Sequence, residues 1–89
     1  MTLMNDPELA DLRERAERGD SDALDQLIEL AGERGDIAEL RRLSDNGSAT
    51  ATDELIQVAT EQENLDELRR LAANGNTDAA DQLEELTGE

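Results

Sequence analysis

The sequence ELRRL occurs twice, at residues 39–43 and 67–71, and a weaker copy, DLRER, lies at residues 11–15. In chain order the copies begin at residues 11, 39 and 67, so successive copies are 28 residues apart. Other positions align at the same spacing. These aligned positions include Gly19, Gly47 and Gly75; Asp25, Asp53 and Asp81; and Leu27, Leu55 and Leu83. A fixed period of this length is typical of stacked helical repeats, and it determines the fold class before any single element is considered.

Each repeat contains two apolar patterns with helical spacing. In the second repeat, Ile37, Leu40 and Leu43 form one apolar stripe, and Leu55 and Val58 belong to the next. No useful length of sequence alternates between apolar and polar residues as a half-buried strand does. We therefore expect an all-α fold, an α-solenoid of three helix-turn-helix repeats with six antiparallel helices. The single domain 1–89 divides into units of approximately 7–34, 35–62 and 63–89.

Residues suited to helix ends lie between these patterns. Asp6 precedes Pro7, an N-cap followed by a proline in the first helical position. Asp36 and Glu39 have the spacing of a capping box. Gly32 and Gly35 are both expected to end the second helix, because glycine accepts the left-handed backbone found after helix C-termini.

Two aligned positions predict how the repeats stack, because their chemistry changes at the ends of the array. They are occupied by Ile28, Ile56 and Glu84, and by Arg15, Leu43 and Leu71. We expect Ile28 to pack on Leu43 and Ile56 on Leu71, with the two charged residues forming polar outer faces. The alternative is that Arg15 and Glu84 differ from the apolar residues at their aligned positions only through sequence drift.

The composition limits both stability and chemistry. The 89 residues include no aromatic residue, no cysteine and no histidine, so Leu, Ile, Val and Met side chains supply most of the apolar surface. Such a small core predicts modest stability or self-association. Without histidine or cysteine, Ser/His/Asp and Cys/His catalytic arrangements are excluded. We expect no enzyme activity and no cofactor.

The chain is strongly acidic, with 24 Asp and Glu residues against eight arginines and a net charge of −16. This charge disfavours nucleic-acid binding, which needs basic surfaces. Three explanations remain open: a solvated surface without a special role, adaptation to high salt, or an acidic face for a basic partner, including mimicry of a phosphate backbone.

Membrane and targeting signals are not visible. No stretch approaches the ~20 apolar residues that a membrane span needs. Residues 1–6 lack the basic start and apolar run of a signal peptide. The expected location is cytoplasmic, without membrane association.

Acidic residues cluster near two of the expected helix starts. The clusters are Asp20, Asp22 and Asp25 in the first repeat, and Asp78 and Asp81 in the third. Neither cluster has the ligand order of a calcium loop, with its central glycine and final bidentate glutamate. We interpret these residues as helix caps and favourable partners of the helix dipole, and we expect no metal site.

The paired arginines are the candidate partner-binding face. Arg41 and Arg42, with Arg69 and Arg70 one repeat later, should form a ladder on adjacent helices. Arginine binds carboxylates in a bidentate manner, so this ladder could hold an acidic group of a partner. The alternative is charge neutralisation within the chain, because a glutamate precedes Arg42, and another precedes Arg70, at helical pairing distance.

The sequence between neighbouring repeats is similar to a known family. The segment 71–83 resembles the junction of Sel1-like repeats, where a small-residue pair is followed by the pattern Gly-x-x-x-Ala-x-x-x-Leu. The pattern begins at Gly19, Gly47 and Gly75. Sel1-like and tetratricopeptide repeats are longer than the 28-residue period of this chain and carry aromatic residues that are absent here. Residues 33–44 also look like short helical repeats of actinobacterial proteins. The resemblance implies stacked helix pairs that bind proteins, and it implies no catalytic residue.

Two classes of function follow from these observations. The first is a non-catalytic scaffold that binds a protein or peptide, most favourably a basic one, in a groove lined by the first helix of each repeat. The second is a structural protein that self-associates as a homo-oligomer, or an acidic inhibitor that mimics DNA. A designed repeat protein without a native function is a third possibility.

Overall fold

A computed structural model describes residues 7–88. Its helices are α1 (Pro7–Glu17), α2 (Ser21–Arg34), α3 (Ile37–Asp45), α4 (Ala49–Glu61), α5 (Leu65–Ala73) and α6 (Thr77–Thr87). The described residues contain six helices and no strand, which confirms the predicted all-α class. None of these helices combines the length and apolar character required to cross a bilayer.

Side-chain caps explain where most of the helices begin. The Asp20 carboxylate accepts the backbone N–H of Ala23 at 3.2 Å at the start of α2. Asp36 accepts the N–H of Glu39 at 3.1 Å at the start of α3. The reciprocal half of the predicted capping box is not formed, because the Glu39 carboxylate pairs with arginines instead. The proposed cap Asp6 lies outside the described residues.

Three further caps follow the same pattern in the second and third repeats. Ser48 and Asn76 start the second helices α4 and α6, and Asn64 starts α5. Each side-chain oxygen accepts an N–H of the first helical turn, where backbone donors have no partner within the helix. Local sequence therefore sets these helix starts before tertiary packing is considered.

The prediction that Gly32 ends α2 is wrong. Gly32 lies inside the helix, which continues to Arg34, and Gly35 is the residue with left-handed backbone at φ 64°. A Cβ added at Gly32 would collide with the carboxylate of Glu54 on α4. The glycine therefore leaves room for the Glu54 side chain beside α2, and it does not mark a helix end.

The helices pack as hairpins that contact one another in series. The closest neighbours are α1 with α2, α3 with α4, and α5 with α6, each pair joined by a short turn. Helix α2 also contacts α3 and α4, and α4 contacts α5 and α6. Within residues 7–88, no helix of the first hairpin contacts a helix of the third. The principal extents are 44 × 30 × 15 Å, as expected for hairpins arranged in a row.

One apolar core runs through all three hairpins. It is built from aliphatic side chains and alanines, and its largest fully buried members are Leu27, Leu40, Leu55 and Leu68. The alanines of the repeated Gly-x-x-x-Ala-x-x-x-Leu pattern, Ala23, Ala51 and Ala79, are 0% exposed. The pattern that carries the family resemblance is thus a packing pattern, because these small side chains are buried where helices pack closely.

The residues predicted to connect the repeats all belong to this core. Ile28, Leu43, Ile56 and Leu71 are each at most 6% exposed. Ile28 lines a groove formed with residues of α4, and Ile56 lines one formed with residues of α6, so both lie toward the following repeat. Leu43 lines a groove with α1 and α2 and lies toward the preceding repeat.

One backbone conformation recurs in the repeat although its residue changes. Gly35 has φ 64°, and Glu63, which occupies the aligned position of the next repeat, has φ 54°. This left-handed region costs a residue with a Cβ about 1–2 kcal/mol, and it costs glycine almost nothing. Glu63 is exposed, so its side chain gains no compensating burial.

The substitution Glu63→Gly should therefore raise the free energy of unfolding by roughly 1 kcal/mol. Glu61→Gly is the matched control, since it removes the same charge from the last residue of α4. It should lower stability, by up to about 1 kcal/mol, because glycine is unfavourable in a right-handed helix. Urea denaturation measures both values, and a change of the same sign in the two variants would refute the explanation.

Candidate functional site

The side chain of Glu67 is held between arginines of two repeats. Its Oε2 accepts hydrogen bonds from Arg70 Nη2 at 2.6 Å and Nε at 3.1 Å, within α5. Its Oε1 accepts from Arg41 Nη2 at 2.5 Å, from α3 of the preceding repeat. The Glu67 side chain is only 1% exposed. A buried carboxylate needs such partners, because desolvation without them would be very costly.

The same arrangement occurs one repeat earlier. Oε2 of Glu39 accepts from Arg42 Nη2 at 2.8 Å, and Oε1 accepts from Arg13 Nη2 at 3.1 Å. In each case one oxygen binds an arginine of its own helix and the other binds an arginine of the preceding repeat. The arginine–glutamate ladder is our name for these six residues: Arg13, Glu39, Arg42, Arg41, Glu67 and Arg70. The ladder links α1 to α3 and α3 to α5.

Two longer ion pairs connect ladder arginines to exposed acids that are not part of the ladder. Arg42 Nη1 lies 3.9 Å from Glu17, and Arg70 Nη1 lies 4.0 Å from Asp45. Glu17 and Asp45 again occupy aligned positions, and each belongs to the first helix of the preceding repeat. These acids are more than half exposed, so water screens both pairs and they contribute little to stability.

The ladder controls the ionisation of its glutamates. Burial raises the pKa of Glu67, but the hydrogen bonds and positive charges of Arg70 and Arg41 outweigh it and lower the pKa below its ordinary 4.5. The pKa of Glu39 is lowered in the same way, since Arg42 and Arg13 outweigh its burial. Both glutamates therefore stay ionised at neutral pH, and the arginines stay bound to them.

The candidate arginines differ in their surroundings. The pairs of Arg42 with Glu39 and of Arg70 with Glu67, predicted from their helical spacing, are confirmed. Arg41 is bound to Glu67 and is 46% exposed, and Arg69 contacts Asp66 at 3.4 Å and is 57% exposed. Arg41 and Arg70 already bind the buried carboxylate of Glu67, and Arg42 binds the largely buried carboxylate of Glu39. Binding of a partner to these arginines stays a prediction.

The bonds between repeats were not among the features predicted from the sequence. The signal was present, since Arg13 and Arg41 form one aligned position and Glu39 and Glu67 form another. Opposite charges at two such positions should meet wherever successive repeats place them side by side. Which positions meet depends on the stacking geometry of the hairpins, and this geometry cannot be read from the spacing alone.

The second helices present a different surface. Helices α4 and α6 contain no arginine, and α2 contains only Arg34. Their acidic residues form what we call the acidic surface: Asp22, Asp25, Glu29, Glu33, Asp53, Glu54, Glu61, Asp78, Asp81, Glu84 and Glu85. Among residues 7–88, every ion pair involves carboxylates other than these. The excess negative charge of the protein is thus concentrated on α2, α4 and α6.

Two grooves cross the acidic surface. The α2–α4 groove includes Ile28 and is lined by the carboxylates of Asp25, Glu29, Glu33, Glu54 and Glu61. The α4–α6 groove includes Ile56 and is lined by Asp53, Glu61 and Asp78. The linings correspond from repeat to repeat, with Asp25 matching Asp53 and Ile28 matching Ile56. The surface therefore presents a similar groove twice, and the first one is more acidic.

A third groove lies on the first-helix side, between α1, α2 and α3. Arg13, Glu17 and Arg42 line it, together with Leu24 and Leu43. Its arginines are ladder members, so its charge is largely balanced. No group of three or more acidic residues in the described part of the chain is arranged to hold a metal ion.

Comparison with known proteins adds no family assignment. No protein-family model, curated protein or solved structure shows significant similarity to the chain. The resemblance to Sel1-like repeats thus stays a prediction from the sequence pattern.

The lowered pKa of Glu67 predicts an acid-dependent loss of stability. Its ionised form stabilises the fold above the unfolded-state pKa near 4.5, and this contribution is lost as pH falls through the lower folded-state value. Glu67→Gln should therefore cost about 2 kcal/mol at pH 7 and progressively less below pH 4.5. Urea denaturation across a pH series measures the difference between the wild-type protein and the variant.

Asp66→Asn is the control for this experiment, because it removes the same charge from a side chain that is 98% exposed. It should change the unfolding free energy by less than about 0.5 kcal/mol at every pH. A cost of Glu67→Gln that stays constant with pH would contradict the role given to the ladder.

Arg41 and Arg69 test the link between repeats. They occupy aligned positions, but Arg41 bonds Glu67 across the repeat boundary and Arg69 contacts an acid of its own helix. Arg41→Gln should lower the unfolding free energy by about 1 kcal/mol, and Arg69→Gln should change it by less than about 0.5 kcal/mol. Equal costs in thermal or urea denaturation would show that the bond across the boundary adds no stability.

Proposed function

We propose that the protein is a non-catalytic interaction scaffold, a short α-solenoid of the Sel1-like or tetratricopeptide-like kind. It binds a basic protein segment or peptide on its acidic surface. The cytoplasm is the proposed location. The single observation that carries this proposal is the unequal distribution of charge between the two sets of helices.

The acidic residues of the first helices and of the second helices differ in their ion-pair partners. On the first helices, Glu39 and Glu67 are bound by arginines, so their charge is balanced within the chain. On the second helices, no ion pair of residues 7–88 engages the carboxylates of the acidic surface. A surface of one sign raises the local concentration of oppositely charged ligands and speeds their association. The proposal therefore assigns binding to α2, α4 and α6.

The grooves supply the shape for such a partner. Each one is open and places carboxylates around a buried isoleucine. An arginine or lysine side chain can lie with its apolar stem toward Ile28 or Ile56 and its charged end among the carboxylates. Because the lining is repeated, a segment with basic residues at two places can occupy both grooves, which increases affinity over one contact.

The proposed binding face is on the second helices, whereas the sequence favoured a groove lined by the first helices. The ladder gives the reason, since a partner of Arg41, Arg42 or Arg70 would have to compete with buried glutamates. The chain also contains no histidine or cysteine, which supports a role without catalysis.

The test is binding of a fluorescent arginine- and lysine-rich peptide, followed by anisotropy at several salt concentrations. Binding should weaken as salt rises, because it depends on exposed charges. The triple variant Glu29→Gln, Glu33→Gln, Glu54→Gln removes three charges from the α2–α4 groove. It should weaken binding by about tenfold or more.

The matched control removes the same number of charges from the first-helix side, with Glu14→Gln, Asp45→Asn and Asp66→Asn. All three side chains are more than half exposed and outside the ladder. Binding should change by less than about threefold. The proposal is wrong if the wild-type protein does not bind the basic peptide, or if the two triple variants lose affinity equally.

A further inference from the structure

Within residues 7–88, Arg69 occupies the aligned position of the ladder arginines Arg13 and Arg41 without a following repeat to bind. Arg69 aligns with Arg13 and Arg41, the arginines that bind the glutamate of the following repeat. Within residues 7–88 its guanidinium contacts only Asp66, at 3.4 Å, and both side chains are more than half exposed. Arg13 and Arg41 each bind a carboxylate on the first helix of the following repeat. A carboxylate in the same place on another repeat is therefore the group that fits Arg69.

The first repeat carries the complementary carboxylate. Asp11 aligns with Glu39 and Glu67, and each of those accepts an arginine from the preceding repeat. Asp11 is 59% exposed and contacts Arg15 at 3.5 Å within α1. Among the described residues, Arg69 at one end of the array and Asp11 at the other thus form ion pairs only within their own helices.

A second pair of positions has the same complementarity. Glu84 replaces the isoleucines Ile28 and Ile56, which lie toward the following repeat. Arg15 aligns with Leu43, which lies toward the preceding repeat. These positions are apolar at the junctions between repeats. At the two ends of the array they are occupied by opposite charges, Glu84 and Arg15. Glu84 and Arg15 are both exposed, and Arg15 pairs with Asp20 at 3.0 Å and with Asp11 at 3.5 Å, so binding to Glu84 of another copy would add to or replace these exposed pairs.

We propose that copies of this chain associate head to tail, so that α5 and α6 of one copy contact α1 and α2 of the next. The contact pairs Arg69 of one copy with Asp11 of the other, and Glu84 with Arg15, in the register that the internal junctions already use. Such a contact is heterologous and leaves a free end on each copy, so it extends the array. The charges at the two ends match in this register, because Arg69 is placed opposite Asp11 and Glu84 opposite Arg15.

The net charge of −16 on each copy opposes this association. The repulsion acts over the whole 44 Å length of the particle, whereas the two ion pairs act at contact. At about 0.15 M salt the screening length is ~8 Å, so most of the repulsion is removed and the contact pairs are kept. Association should therefore be weak at very low salt and increase toward physiological ionic strength.

The test is sedimentation of the full chain over a concentration series at physiological salt. The wild-type protein should show concentration-dependent assemblies. Arg69→Glu and Asp11→Arg should each weaken the association by about tenfold or more, because each places like charges at the contact. The double variant carrying both substitutions should recover it, since the charges are exchanged and not lost.

A mixture of the two single variants gives a sharper result. The introduced glutamate of one variant faces the introduced arginine of the other, and the native Arg69 of the second variant faces the native Asp11 of the first, so the mixture should form extended assemblies in which the two variants alternate. Arg18→Glu, which reverses a charge that is 74% exposed in the turn after α1, should associate like the wild-type protein. Circular dichroism verifies that every variant is folded.

A wild-type chain that stays monomeric at all concentrations would overturn this proposal, and so would association that the exchanged charges do not recover. Glu54→Gln, which removes one charge of the α2–α4 groove, should keep the association, because Glu54 lies on α4, outside the proposed contact. Failure of peptide binding and failure of head-to-tail association are thus separate results.

Discussion

The carboxylate of Glu67 is the interaction on which the arrangement of this protein depends. It is almost fully buried, and it stays charged because Arg70 and Arg41 donate to its two oxygens. One arginine belongs to the same helix and the other to the preceding repeat, so satisfying one buried charge also fixes one hairpin against the next. The repetition of this bond at Glu39 makes it a property of the stacking itself.

This constraint explains how a chain with so much negative charge can keep a compact fold. The aliphatic core contains no aromatic side chain, and its apolar surface alone leaves little net stability. The ladder places positive charge where the first helices come together, and it leaves the repelling carboxylates on the second helices. The first helices thus have balanced charge and the second helices have excess negative charge. This difference, to which we attribute binding, arises because the ladder reduces repulsion among the carboxylates of the first helices.

The repeat period made the helices, their caps and the core predictable, because these depend on local spacing and on the aligned apolar residues. Asp36 and the alanines of the Gly-x-x-x-Ala-x-x-x-Leu pattern are examples. The place of Gly32 inside α2 was not predictable, since its near neighbour Glu54 belongs to a different helix of the next repeat. Glu63 was not predictable either, because it has the left-handed backbone of the aligned Gly35 although a residue with a Cβ disfavours that conformation. The ladder bonds between repeats required the stacking geometry, and the acidic surface required knowing which acids lack arginine partners.

A double-mutant cycle between Arg41 and Glu67 tests the central claim most directly. The variants Arg41→Ala, Glu67→Ala and the combination are compared with the wild-type protein by urea denaturation at neutral pH. The account predicts a favourable coupling free energy of about 1 kcal/mol or more, because the two side chains share a bond across the repeat boundary. Additive costs, with a coupling near zero, would show that the hairpins stack without the ladder and would contradict the account.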